Sequence, residues 1–159
     1  MLTLMVSGLL LQGAPSEYDQ MLTALQASVR GRVLVFAPSI FDVRLAETLR
    51  QTQTDPVRQT RIGVVTVPYY NYLPHSTVLS LALANVPIYE LQIASLEGVV
   101  IVDDTGWRGP ELGKTAHPDL SRMSSSELNE TLRWFQAATG RGHRISQYEA
   151  FLRIKQVLK

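Results

Sequence analysis

Residues 98–106 read Gly98-Val99-Val100-Ile101-Val102-Asp103-Asp104-Thr105-Gly106, and they carry the strongest fold signal in the chain. The uninterrupted apolar run is typical of a β-strand that is buried on both faces. Two carboxylates and a Thr-Gly pair then indicate a turn. Because ligands of open α/β sheets bind at the carboxyl ends of strands, Asp103 and Asp104 are candidate ligand-binding residues. The alternative interpretation is an aspartate that only caps the turn.

Short apolar runs and helical periodicities alternate along the preceding residues. Strands are predicted at 2–11, 32–37, 61–67, 87–92 and 98–102, and helices at the Ser16 cap after Pro15, at the Asp42 cap and over Thr77–Ala84. Gln51–Gln59 and the Tyr-rich stretch between Pro68 and Pro74 are predicted to be loops. This order predicts an α/β fold in which helices cover both faces of a mixed, mostly parallel sheet.

The composition of the sequence changes after Asp103. Residues 104–123 are rich in Gly, Pro and Asp and are predicted to form a long loop. Ser124 and Glu127 form a capping box for a helix that Gly140 ends, and Ser146 caps a last helix. The last helix carries an apolar stripe with the members Tyr148, Phe151, Ile154 and Leu158. We therefore expect an α/β domain over residues 1–123 and a C-terminal helical extension over residues 124–159.

The composition excludes several classes of protein. Of 159 residues, 45% are hydrophobic and 18% are charged, the formal net charge is +1, and cysteine is absent. A strongly charged disordered chain, a disulfide scaffold, a thiolate nucleophile and a cysteine-ligated metal site are thus excluded. No apolar run approaches the roughly 20 residues that span a bilayer. Because the first residues fit a buried strand better than a signal peptide, we expect a cytoplasmic protein without a membrane partner.

The charge is distributed unevenly, since residues 141–159 carry a net +4 and the preceding residues −3. This basic end is either a phosphate-binding surface or the solvated face of a terminal helix. His75, His117 and His143 have no second ligand at metal-binding spacing, and phosphate-binding glycine loops and serine-hydrolase elbows are absent from the sequence. No metal and no cofactor are expected.

The stretch from Arg61 to Gly113 resembles the core of the phospholipase D superfamily. In that family the catalytic strand begins with His-x-Lys and passes through four apolar residues to an aspartate, as in Val99–Asp103. The preceding strands and helices match the family in order, so the resemblance covers roughly residues 5–113 and implies a phospholipase D-like α/β fold.

The resemblance breaks at the catalytic motif. The family's nucleophilic histidine falls on Leu96 and its phosphate-binding lysine on Gly98. Leucine cannot attack phosphorus or transfer a proton, and glycine carries no charge. Because losing one group of a catalytic set costs orders of magnitude in rate, the resemblance implies a nuclease-like pseudoenzyme rather than an active phosphodiesterase. Asp103 would remain as the third position of a degenerate motif.

Three functional hypotheses follow. The first, which we favour, is a non-catalytic module that binds nucleic acid, a protein partner or both as a homodimer, the dimer being implied by single-motif family members. Its candidate nucleic-acid ligands are Arg108, Lys114, Arg141, Arg144, Arg153 and Lys155. The second is an enzyme that uses Asp103 and Asp104 for phosphoribosyl transfer or, with Glu90, for metal-dependent cleavage. The third is a structural subunit that presents Trp107, Trp134 and Tyr69–Tyr72 to a partner.

Overall fold

The computed structural model describes residues 13–95 and 97–158. The predicted strand at 2–11 and the motif position Leu96 lie outside the described residues. The helices are α1 Glu17–Ala27, α2 Val43–Thr54, α3 Pro68–Asn71, α4 Val78–Leu83, α5 Ser125–Arg141 and α6 Gln147–Val157. The strands are β1 Arg32–Phe36, β2 Arg61–Thr66, β3 Ile88–Glu90, β4 Gly98–Val102, β5 Thr105–Gly109, β6 Ser121–Arg122 and β7 His143–Arg144.

The described strands form one mixed sheet in the order β6-β5-β4-β1-β2-β3-β7. The α/β fold class with its C-terminal helices is confirmed. The share of parallel pairing is smaller than predicted, because β1–β2 and β2–β3 are parallel while the other four pairs are antiparallel. The predicted loop at 104–123 was wrong: it contains β5 and β6, which extend the sheet as an antiparallel hairpin and an edge strand.

The first two helices begin at the predicted caps. The Ser16 hydroxyl accepts a hydrogen bond from the Asp19 amide at 3.1 Å, and the Asp42 carboxylate accepts one from the Arg44 amide at 3.0 Å. Helix α2 continues to Thr54 instead of giving way to a loop at Gln51. Its threonines satisfy their hydroxyls on the helix itself, as in the 2.8 Å bond from Thr52 to the Thr48 carbonyl.

The Tyr-rich stretch, predicted to be a loop, contains the one-turn helix α3. Pro68 opens it, which suits proline because the first amide of a helix needs no partner. Asn71 is buried on its inner side, while Tyr69 stays exposed. The turn therefore serves to carry an amide side chain into the interior.

The two faces of the sheet are covered unequally. One face carries the larger core and packs against α1, α2, α4 and α6; we call it the four-helix face. The opposite face packs against α5, the single helix covering it in the described part of the chain; we call it the α5 face. Its core joins Phe36, Val65 and Ile101 to Phe135 and Ala138. Part of the α5 face is thus left accessible.

The apolar stripe of the last helix is only partly buried. Helix α6 makes its apolar contacts with the core through Ala150 and Ile154, whereas Tyr148, Phe151 and Leu158 are 71%, 49% and 81% exposed. The stripe is therefore divided, because Ile154 packs against the core together with Ala150 while the other three side chains stay exposed. None of the helices in residues 13–95 and 97–158 is long and apolar enough to cross a bilayer.

Candidate functional site

Asp103 and Asp104 form the two-residue turn of the β4–β5 hairpin. Val102 pairs with Thr105, and Asp103 adopts a left-handed φ of 52°. One Asp103 carboxylate oxygen accepts the Arg32 amide at 3.0 Å. The Asp104 carboxylate, 97% exposed, lies 3.6 Å from the Arg32 guanidinium. The Asp103 carboxylate thus ties the β4–β5 turn to the start of β1.

This turn lies beside the amino ends of the parallel strands, at the opposite end of the sheet from their carboxyl ends. Strand β4 is antiparallel to β1, so its end is beside Arg32 at the start of β1. Glu90 lies instead at the end of β3, paired with Thr66 at the end of β2. Five strand residues, or about 16 Å along the strand direction, separate these two ends of the sheet. Glu90 is therefore not brought together with Asp103 and Asp104, as the metal-dependent cleavage would require.

The space beside Gly98 is filled by the chain itself. A Cβ atom at Gly98 would lie 2.8 Å from the Leu112 carbonyl oxygen and 2.9 Å from the Leu112 Cβ. Leu112 is fully buried there, held by Gly113, whose carbonyl accepts the Phe41 and Asp42 amides at 2.7 and 3.0 Å. The left-handed φ of 85° at Gly113 permits the backbone turn that places Leu112 against Gly98. A lysine does not fit at the Gly98 position of this backbone.

A buried polar network occupies the carboxyl ends of β2 and β3. The Thr66 hydroxyl lies 3.1 Å from the Asn71 amide oxygen, and the Asn71 amide nitrogen donates to Glu90 at 2.7 Å. All three residues are buried. A carboxylate that is buried without partners has a high desolvation cost. The hydrogen bond from Asn71 offsets part of that cost for Glu90.

Helix α6 extends this network with a charge. An Arg153 guanidinium nitrogen lies 2.8 Å from Glu90, an ion-pair contact without good hydrogen-bond geometry, and a second nitrogen donates to Glu149 at 2.5 Å. His143 contacts the same Glu149 carboxylate at 2.8 Å. Burial acts to raise the pKa of Glu149, but the hydrogen bonds and charges of His143 and Arg153 outweigh it and hold that pKa below its usual value. We call Thr66, Asn71, Glu90, His143, Glu149 and Arg153 the α6 clamp.

The clamp offers a set of potential metal ligands. Atoms of Glu90, His143 and Glu149 lie within 4.8 Å of one another. The Arg153 guanidinium, however, already contacts both carboxylates, and a metal ion would have to displace it. The donor set fits an internal ion-pair network better than a metal centre.

Sequence reasoning missed Thr66, Asn71 and the partners of Glu90. A signal for them was present, since Glu90 shares the alternation of Ile88 on the buried face of its strand. A carboxylate at such a position demands a donor and a cation. Which residues supply them depends on the long-range docking of α3 and α6.

The residues predicted to contact nucleic acid fall into three groups. Arg108 is ion-paired with Glu127 at 2.8 Å, and Arg153 belongs to the clamp. Lys155 lies over the Phe151 ring at 5.4 Å and is exposed. Lys114 is partly exposed, and Arg141 and Arg144 are exposed at the end of α5 and in β7.

The remaining candidates have local roles. His75 occupies a turn with a φ of 68°, and His117 packs edge-on against Tyr18 with ring centroids 5.8 Å apart. Trp107 is buried and donates its indole N–H to Glu17 at 2.9 Å. Trp134 packs edge-on against Phe36. Both tryptophans thus stabilise the fold, while Tyr69 and Tyr72 are exposed.

A similar solved structure is the crystal structure of a phospholipase D family member, Nuc from Salmonella typhimurium, with a TM-score of 0.64 and 15% identity. The match covers 80% of this chain and 89% of the other. The fold is phospholipase D-like. No family model matches the sequence, and no curated protein matches it. At this identity the likeness establishes architecture, not activity.

Proposed function

We propose that this phospholipase D-like module binds nucleic acid as a homodimer and does not cleave phosphodiesters. The observation that carries the proposal is the packing of Leu112 against Gly98. The resemblance places the family's phosphate-binding lysine at this position, and its nucleophilic histidine at Leu96. Without an imidazole to attack phosphorus and a cation to stabilise the phosphoryl charge, the family's covalent mechanism has neither of its main groups.

The homodimer is supported by the outer surface of α6. Tyr148, Phe151 and Leu158 follow one another at helical spacing and are exposed, and Leu152 beside them is 41% exposed. We call these four side chains the α6 stripe. A group of exposed apolar side chains on one helix is typical of an interaction site. The second copy of the chain is the proposed occupant.

Nucleic-acid binding is supported by the cations that the fold leaves accessible. Arg141 and Arg144 are exposed near α6, and Lys114 is partly exposed in the β5–β6 connection. Lys155 is left out of the proposed surface because it lies over the Phe151 ring of the α6 stripe, which the second copy covers. Arg153 is left out of the proposed surface because it neutralises buried Glu90. Arg108, which is paired with Glu127, contributes only where a phosphate displaces that carboxylate.

The binding experiment measures the affinity for a fluorescent single-stranded and double-stranded DNA as salt increases. We expect log K to fall linearly with log salt concentration, with a slope that falls by about 1 in magnitude for each phosphate contact removed. R141Q and R144Q are the test variants, and R50Q on α2 is the matched control. Absence of binding at low salt would refute the nucleic-acid part of the proposal.

The hydrolysis experiment incubates the protein with bis(p-nitrophenyl) phosphate and with DNA, with and without Mg²⁺. We expect no turnover above that of a heat-denatured sample. Cleavage that co-purifies with the protein and disappears in D103N would show that the strand end is catalytic and would overturn the inert interpretation.

A further inference from the structure

The exposed part of the α5 face contains a cavity of about 440 Å³ at the amino ends of β1 and β2. It lies between α5 and the sheet, because α5 crosses the sheet and leaves the first residues of the strands uncovered. Its rim carries Arg32 and Arg61 from the strands and Arg133 from the helix. Its volume falls within the range of about 300–1,000 Å³ typical of small-molecule sites.

The charge of this cavity is one-sided. Within residues 13–95 and 97–158 its lining includes three arginines and neither aspartate nor glutamate. Arg61 and Arg133 are exposed and make no ion pair with another described residue. The Arg32 guanidinium donates to the Asp103 carbonyl at 3.2 Å and lies 3.6 Å from the exposed Asp104 carboxylate, an ion pair that water and salt weaken.

The strand register places two of these positive charges next to each other. Arg32 and Arg61 are register partners in neighbouring parallel strands, so their backbones are about 4.8 Å apart. Like charges at neighbouring positions of a sheet repel one another. An anion between the guanidinium groups would remove that repulsion, and arginine binds phosphate with two parallel hydrogen bonds.

The floor of the cavity is apolar and flat. Leu34, Gly63 and Tyr89 contribute it from the sheet, and Leu132 from the helix. Gly63 adds no side chain there, and a Cβ atom at that position would lie 3.3 Å from Leu34. Gln136, on the helix side, offers an amide for polar groups of a ligand.

We propose that this cavity binds a nucleotide, with its phosphate between Arg32, Arg61 and Arg133 and its base on the apolar floor. The nucleotide is either free or the 5′-phosphorylated end of a strand. The inference is independent of the proposed function, since none of these arginines belongs to the surface proposed there.

The experiment titrates the full chain with adenosine 5′-monophosphate, inorganic phosphate, adenosine, and a short oligonucleotide with and without a 5′-phosphate, by calorimetry. We expect saturable binding of the monophosphate, at least tenfold tighter than that of phosphate or adenosine. R61Q and R133Q should each weaken it about tenfold or more, because a hydrogen bond to a charged group is lost. R50Q should change it less than twofold. Tighter binding of the phosphorylated strand than of the monophosphate would identify the strand end as the ligand, and the reverse order the free nucleotide.

Three outcomes would overturn the inference: no saturable binding of the monophosphate, unchanged affinity in both R61Q and R133Q, or phosphate binding as tightly as the monophosphate. Circular dichroism checks that the variants are folded, which is expected because both arginines are exposed. Amide NMR shifts at Gly63 and Tyr89 locate the ligand independently of affinity. Loss of DNA binding in R141Q and R144Q with monophosphate binding retained would separate this site from the surface proposed above.

Discussion

Gly31 shows how a single missing side chain can determine a turn. A Cβ atom at Gly31 would lie 1.5 Å from an Asp103 carboxylate oxygen. The glycine therefore lets the carboxylate approach the backbone and accept the Arg32 amide. That bond joins the β4–β5 turn to the start of β1, which is a contact between residues 71 positions apart in the sequence.

We predict that G31A destabilises the protein by roughly 1–3 kcal/mol, because the carboxylate must move away and leave the Arg32 amide without its partner. Urea unfolding measures the change. The matched control is G140A: a Cβ there meets nothing within 4 Å and lies within α5, so the alanine should raise stability by up to about 1 kcal/mol. Equal stability of G31A and the parent would contradict the close approach.

At the scale of elements, the α6 clamp is what holds the last helix to the sheet. Glu90 and Arg153 have side chains that are 4% and 15% exposed. A buried pair of this kind is costly to break from one side, since the remaining charge loses its partner. The clamp thus couples the end of β3 to the docking of α6.

We predict that R153M lowers stability by about 3–5 kcal/mol and increases hydrogen exchange in α6 before the rest of the fold. The double variant E90Q/R153M should recover part of the loss, because the buried charge is then absent as well. R144Q, at an exposed position of β7, serves as the control. If the loss of stability in E90Q/R153M equalled the sum of the losses in E90Q and in R153M, the ion pair would not be the source of the stability.

The clamp also predicts an acid-sensitive helix. Glu149 has a pKa below the ordinary value of 4.5 because His143 and Arg153 stabilise its carboxylate against the effect of burial. A depressed pKa contributes stability that is present above the ordinary value and is lost as the pH falls through the folded-state pKa. We expect α6 to detach below about pH 4.5, measured by hydrogen exchange, and E149Q to reduce this pH dependence. A pH dependence that is unchanged in E149Q would assign it to another carboxylate.

For the whole molecule, the relevant feature is that its two outer surfaces differ. The α6 stripe is apolar, whereas the α5 face presents an arginine-rimmed cavity. An apolar stripe favours association with a protein surface, and a cationic cavity favours a phosphorylated ligand. The two sites can therefore act separately.

We predict that the protein dimerises through the α6 stripe. Light scattering coupled to size exclusion should give twice the mass of 17.7 kDa for the parent and the monomer mass for F151S/L158S. V57S is the control, since Val57 is 76% exposed in the loop after α2. If the parent protein remained a monomer at high concentration, the homodimer would be refuted. The α6 stripe would then be a candidate binding surface for a different protein.

Local patterns in the sequence determined most elements and their class. The caps at Ser16, Asp42, Ser124 and Ser146 and the run at 99–102 encode helix starts and a buried strand through hydrogen bonds and periodicity that act over a few residues. The alternation of these elements was enough to predict the α/β architecture.

Tertiary structure alone decided which side chains meet. The antiparallel pairing of β4 with β1 placed Asp103 at the opposite edge from Glu90, Leu112 filled the space beside Gly98, and the docking of α6 buried Arg153 and exposed Phe151. These contacts join residues far apart in the chain, and their energies depend on burial and on charges in space. Periodicity cannot carry that information, because it records only which residues share one side of one element.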